Sequence, residues 1–102
     1  MDIAEFQKEV LSAFSKMGEL PNRCNHTKQS AVIHLMEEIG EISREVTNEV
    51  HRPERFKRES LATELADTMM FIVLLAKLYD IDLSKEMGEG VKRARKRADL
   101  LK

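Results

Sequence analysis

Few residues in this chain can interrupt a helix. It has two prolines and four glycines in 102 residues, too few to punctuate the many short strands of an all-β fold. Tryptophan is absent, and the aromatic set is four phenylalanines and one tyrosine, so aliphatic residues and six methionines must fill any core. The single cysteine, Cys24, excludes an intrachain disulfide and points to a reduced, cytoplasmic setting. Neither charge is in excess: 17 Lys and Arg face 18 Asp and Glu, for a net charge of -1. The basic surface of a general nucleic-acid binder is therefore not expected. The opening segment MDIAEFQKEV lacks the basic start and apolar centre of a signal peptide. The most apolar run, Met69 to Ala76, is eight residues long, far short of the roughly 18 needed to span a membrane. One soluble domain over residues 1–102, with no membrane partner, is the expectation.

What the sequence does contain is helical periodicity. Ile3, Phe6, Val10, Ala13, Phe14 and Met17 recur at three-to-four spacing and predict a helix over about 2–17, capped by Asp2 and stopped by Gly18 and Pro21. Thr27 is a candidate N-cap for a helix over about 27–50, whose apolar positions are Val32, Leu35, Met36, Ile39, Ile42, Val46 and Val50. Pro53 disfavours helix at the residue before it, and HRPERFKR is basic, so this segment separates two elements. Ser60 is a candidate cap for a third helix over about 60–79, and Asp82 or Ser84 for a fourth over about 83–101. The fourth is basic, with a thin stripe of Met87, Val91, Ala94, Ala98 and Leu101. No useful strand-like alternation is present. The fold class is all-α, a four-helix, bundle-like protomer.

Two pairs of acids stand out because of where they lie. Glu64 and Asp67 precede the apolar run on the third helix, and Glu37, Glu38 and Glu41 lie in EEIGE on the second. Acids three residues apart share a helix face. A short connection favours antiparallel packing of these helices, which would turn Glu38 and Glu41 toward Glu64 and Asp67. An isolated acid-x-x-acid pair is ordinarily a solvated surface, but four converging carboxylates repel one another unless a cation sits among them. Hard divalent ions with oxygen ligands, magnesium above all, suit such a set. A di-iron carboxylate bundle would need Glu-x-x-His pairs, and the three histidines are preceded at that spacing by Arg23, Ala31 and Asn48. Gly40, in mid-helix between Glu38 and Glu41, suggests close approach of another backbone or a ligand.

LMEEIGEISREV followed by LATELADTMMFIVLLAKLYDIDL resembles the MazG-like, all-α nucleoside triphosphate pyrophosphatase superfamily, whose signature is EExxE on one helix and ExxD on the next. The resemblance runs from about Thr27 to Leu83, with 22 residues between Glu41 and Glu64. It implies hydrolysis of a nucleoside triphosphate to monophosphate and pyrophosphate by a homodimer or tetramer, with Mg2+ as cofactor and Mn2+ able to replace it. It further implies that Glu38, Glu41, Glu64 and Asp67 are metal ligands. Glu37, grouped with Glu38 and Glu41 as catalytic, would contact a second cation or orient the attacking water. His34 shares a face with Glu38 and is a candidate for the nucleobase pocket, although a structural role is the commoner one for such a histidine. Family members carry Lys, Asn and Arg on the last helix for substrate contact. Here Lys92 and Arg95 are the candidates and no Asn is present.

Two other readings compete: a phosphoribosyl-ATP pyrophosphatase-like enzyme, and a non-catalytic helical interaction module whose acids bridge to the basic loop or last helix. Separately, the third helix is apolar around most of its circumference, more than three small neighbours can cover. An oligomer with that helix at its centre is the expectation.

Overall fold

The computed structural model describes residues 1–18 and 26–101. Cys24 and the stop at Pro21 lie outside the described residues. The described residues form four helices, α1 (Ile3–Gly18), α2 (Lys28–His51), α3 (Arg58–Leu78) and α4 (Leu83–Leu100), with a 3-10 turn at Pro53–Arg55 between α2 and α3. The described residues contain no strand.

Three of the caps follow directly from residue chemistry. The Asp2 carboxylate accepts from the Glu5 backbone N–H at 2.9 Å, and that of Asp82 from Lys85 N–H at 3.1 Å. At α2, Thr27 Oγ1 accepts from Ser30 N–H (3.1 Å) while Ser30 Oγ accepts from Thr27 N–H (2.9 Å), a reciprocal capping box. The start of α3 departs from expectation. It begins at Arg58, and its N-cap residue Lys57 provides no side-chain cap. Instead the Glu45 carboxylate reaches over from α2 and accepts the Lys57 backbone N–H at 3.1 Å. Ser60 is thereby taken into the helix, and Glu64 falls in its second turn. The far end of α3 closes with Asp80 at φ 53°, Ile81 N–H donating to Ala76 C=O at 2.9 Å and Asp80 N–H to Lys77 C=O at 3.0 Å. This is a Schellman closure, with Asp where glycine is usual.

α2 and α3 pack antiparallel. Glu45 meets Lys57 at one end, His34 stacks on Phe71 further along (5.3 Å between centroids), and Lys28 Nζ lies 4.5 Å from the Tyr79 ring centroid at the other end. α1 lies against α3, and Phe14 contributes a ring at 5.5 Å from Phe71. The core is small: among the described residues, Val10, Ala31, Val73, Leu74 and Ala76 are the buried hydrophobic ones. α4 packs extensively against none of the other helices, and its residues from Ser84 to Leu100 are exposed apart from Gly90.

The apolar residues of α2 divide between two faces. Ala31, Leu35 and Ile42 are buried or half-buried, whereas Val32, Met36, Ile39, Val46 and Val50 are exposed. α3 has its apolar run partly covered, with Val73, Leu74 and Ala76 buried and Met69 to Ile72 half-buried. The uncovered apolar surface thus sits on α2 and α4 more than on α3.

Candidate metal centre

The line of α2 that faces α3 reads His34, Glu38, Glu41 and Glu45, one helical turn apart at each step. Two contacts fix its register: the Glu45 bond to the start of α3, and a ring cluster beyond His34. In that cluster His26 lies edge-on to Phe14 (5.4 Å), His34 (5.1 Å) and Phe71 (5.7 Å). His26 Nδ1 also lies 3.3 Å from Ser30 Oγ. Burial lowers the His26 pKa, and the neighbouring His34 adds to that. These rings act as a spacer holding α1, α2 and α3 at one separation.

Between these two anchors the carboxylates converge. Oxygens of Glu38, Glu41 and Glu64 lie within 4.8 Å of one another, and all three residues are half-buried. Glu38 Oε2 and Glu64 Oε2 are buried and have no hydrogen-bond partner. Among the described residues no Lys or Arg forms an ion pair with any of the three. Buried oxygens without partners normally find donors, so this pocket has capacity for a cation and no side chain that supplies it.

The titration of the cluster records the same strain. The adjacent Glu64 carboxyl raises the Glu41 carboxyl above its ordinary value through its closeness and its charge, desolvation adds to this, and Arg44 opposes it. For Glu64, the close approach of the Glu38 carboxyl raises the pKa, that of Glu41 partly offsets this, and burial and the charges of Glu38 and Asp67 push it further up. The fold therefore holds these protons more tightly than the unfolded chain does. Their contribution to stability is present at low pH and is lost as pH rises through the folded-state pKa values. In the metal-free protein with EDTA, the melting temperature should fall as pH rises from about 4, the ordinary carboxylate range, toward neutrality. Added Mg2+ should recover the loss at neutral pH. Calorimetry across that range, with and without the ion, checks both.

The remaining sequence candidates occupy different places. Asp67 is half-buried and acts on Glu64 through its charge, but its oxygens stand outside the group of three. Glu37 is exposed, pointing off the carboxylate line, with its carboxylate 3.4 Å from His34 Nδ1. Lys92 and Arg95 are exposed on α4, where Lys92 pairs with Glu89 at 3.4 Å, and among the described residues no ion pair joins them to the carboxylates. Glu45 was not singled out from the sequence. Its signal was present, since it continues the line of Glu38 and Glu41 by one more turn.

The arrangement is three converging carboxylates with a fourth beside them and unpartnered buried oxygens, a donor set suited to a hard divalent ion. The family model of the MazG nucleotide pyrophosphohydrolase domain matches residues 26–100. No curated protein and no solved structure matches the chain.

Proposed function

Because the chain belongs to the MazG nucleotide pyrophosphohydrolase family, we propose that it is a magnesium-dependent hydrolase of nucleoside or deoxynucleoside triphosphates, releasing monophosphate and pyrophosphate. The observation that carries this is the pair of buried, unpartnered oxygens on Glu38 and Glu64 within the converging carboxylates. Glu38, Glu41 and Glu64 would hold the ion, with Asp67 completing the set as its oxygens turn inward. The chemistry that a bound divalent cation supplies is neutralisation of phosphate charge and acidification of a water.

The chain's own residues supply position and charge, which dominate phosphoryl chemistry. Glu37 lies one residue from Glu38, with its carboxylate 3.4 Å from His34 Nδ1; it would orient the attacking water or contact a second cation. His34 would border the base, beside Phe71. Lys92 and Arg95, on α4 of this or a neighbouring copy, would meet the outer phosphates. The interaction-module reading required the acids to bridge to the basic loop or last helix, and no such ion pair exists among the described residues.

A pyrophosphate-release screen over common and damaged nucleotides, with and without Mg2+, tests the assignment. Metal-dependent release from at least one triphosphate, lost in Glu41→Gln with helicity retained, is the expected result. Equal release by Glu41→Gln and wild type would remove it.

A further inference from the structure

The two helices that carry the carboxylates begin in different ways. Each has a serine three residues after its N-cap residue, Ser30 after Thr27 and Ser60 after Lys57. In α2 that serine closes the turn within its own helix, its Oγ accepting from the Thr27 N–H at 2.9 Å. In α3 the equivalent N–H, that of Lys57, donates instead to Glu45 Oε2 on α2 at 3.1 Å. A local acceptor stands at the spacing of a capping box, yet the contact made is one that crosses between helices.

The crossing is placed symmetrically about the carboxylates. On α2, Glu45 lies four residues beyond Glu41, as His34 lies four residues before Glu38. On α3, Lys57 and Phe71, the partners of Glu45 and His34, lie seven residues on either side of Glu64. Each of those intervals on α3 is two helical turns, about 10 Å. Glu64 therefore sits midway between two points at which α3 is tied to α2.

Without a cation the converging carboxylates repel one another and tend to part the helices at this level. The stack of His34 on Phe71 resists on one side and the Glu45 bond on the other. Glu45 is half-buried and forms no ion pair with a lysine or arginine among the described residues. Its carboxylate meets the start of α3, where the helix dipole is positive, and a charged acceptor makes the stronger kind of hydrogen bond.

We propose that Glu45 is a positioning residue for the metal centre. By tying the N-cap residue of α3 to α2, it holds Glu64 at the separation from Glu38 and Glu41 at which the three bind a divalent cation. This rests on the reading of those carboxylates as a metal centre. Glu45 itself stands outside the group of three whose oxygens lie within 4.8 Å of one another, and so acts through Glu64 and not on the ion.

The test is binding of Mn2+ alone to the metal-free protein, followed by loss of the free-ion electron paramagnetic resonance signal well below the melting temperature. Glu45→Ala should bind Mn2+ about tenfold or more weakly, the order found when a group supporting metal ligands is removed, with helicity by circular dichroism unchanged. Two conservative variants separate reach from charge. Glu45→Gln keeps an acceptor oxygen at the same reach without the charge, and should restore most of the affinity. Glu45→Asp keeps the charge one methylene short, and should not. Asp binding as well as Gln, or better, would overturn the proposal in favour of simple attraction of the ion by the Glu45 charge.

A further variant separates tether from cap. Lys57→Ser, added to Glu45→Ala, gives α3 a local N-cap that does not reach α2. It should recover the melting temperature lost in Glu45→Ala and leave Mn2+ affinity low. Recovery of both would overturn the proposal and reduce Glu45 to a helix cap, as would equal affinity of Glu45→Ala and wild type. A wild type that binds no Mn2+ is a distinct result: it removes the metal-centre reading itself, and the positioning role with it.

Discussion

Glu64→Gln should lower pyrophosphate release by roughly 10²-fold or more, the order seen when a centre loses a group that stabilises charge in the transition state. The same substitution should raise the stability of the metal-free protein. The two effects have one cause. In the absence of a cation Glu64 is a half-buried carboxylate pressed against Glu38 and Glu41, and its raised pKa records the conflict. A neutral amide of the same shape removes a charge from the cluster and offers a donor to the unpartnered oxygen of Glu38. With Mg2+ present the order should reverse, since the wild type gains stability from the ion in proportion to its occupancy and the variant has lost a ligand. Melting curves of both proteins in EDTA and in Mg2+, beside the activity assay, check this. A variant destabilised in EDTA would show that the carboxylates are held by interactions other than a cation. Such crossing behaviour separates a binding cluster from a solvated acidic surface, which would change little in either buffer.

How much of this site could be taken from the sequence depends on which contacts are local. Asp2, Thr27 and Asp82 cap their own helices, and their side chains reach backbone groups three residues away; a local rule finds them. The start of α3 is set by Glu45, twelve residues away along the chain, and no local rule finds that. Ser60 therefore looked like the cap while the helix began before it. The convergence of Glu38, Glu41 and Glu64 followed from spacing and antiparallel packing alone. The place of Asp67 beside the group did not, because spacing fixes a helix face and not the last ångström of a side chain. The division of the α2 apolar residues was least legible. Period 3.6 marks apolar stripes, but α2 has two, one against α3 and one exposed among the described residues, and pattern alone assigns both to one core. The uncovered apolar surface is displaced accordingly: the run on α3 is partly covered by α1 and α2, and the open stripe is on α2.

That division predicts two kinds of core mutant. Leu74 is 7% exposed and is the only leucine among the buried hydrophobic residues of the described chain, with Val10, Ala31, Val73 and Ala76. Leu74→Ala should cost about 2–5 kcal/mol, the sum of lost transfer energy and the cavity left behind. A domain of this size has about 5–15 kcal/mol in total, so the urea midpoint should fall by roughly 1 M or more. With so few buried neighbours the site can relax inward, which places the cost toward the lower end of that range. The loss should be the same at every protein concentration, because Leu74 is buried within one chain. Ile39→Glu should behave oppositely. Within one chain it alters an exposed position and should move stability by no more than about 0.5 kcal/mol. If the open stripe of α2 closes on a second copy, the wild-type melting temperature should climb with concentration by mass action, and Ile39→Glu should flatten that slope. Equal slopes for wild type and Ile39→Glu would place the stabilising contact elsewhere. A concentration-dependent penalty for Leu74→Ala would mean that the helices of one chain are not a folding unit without the partner.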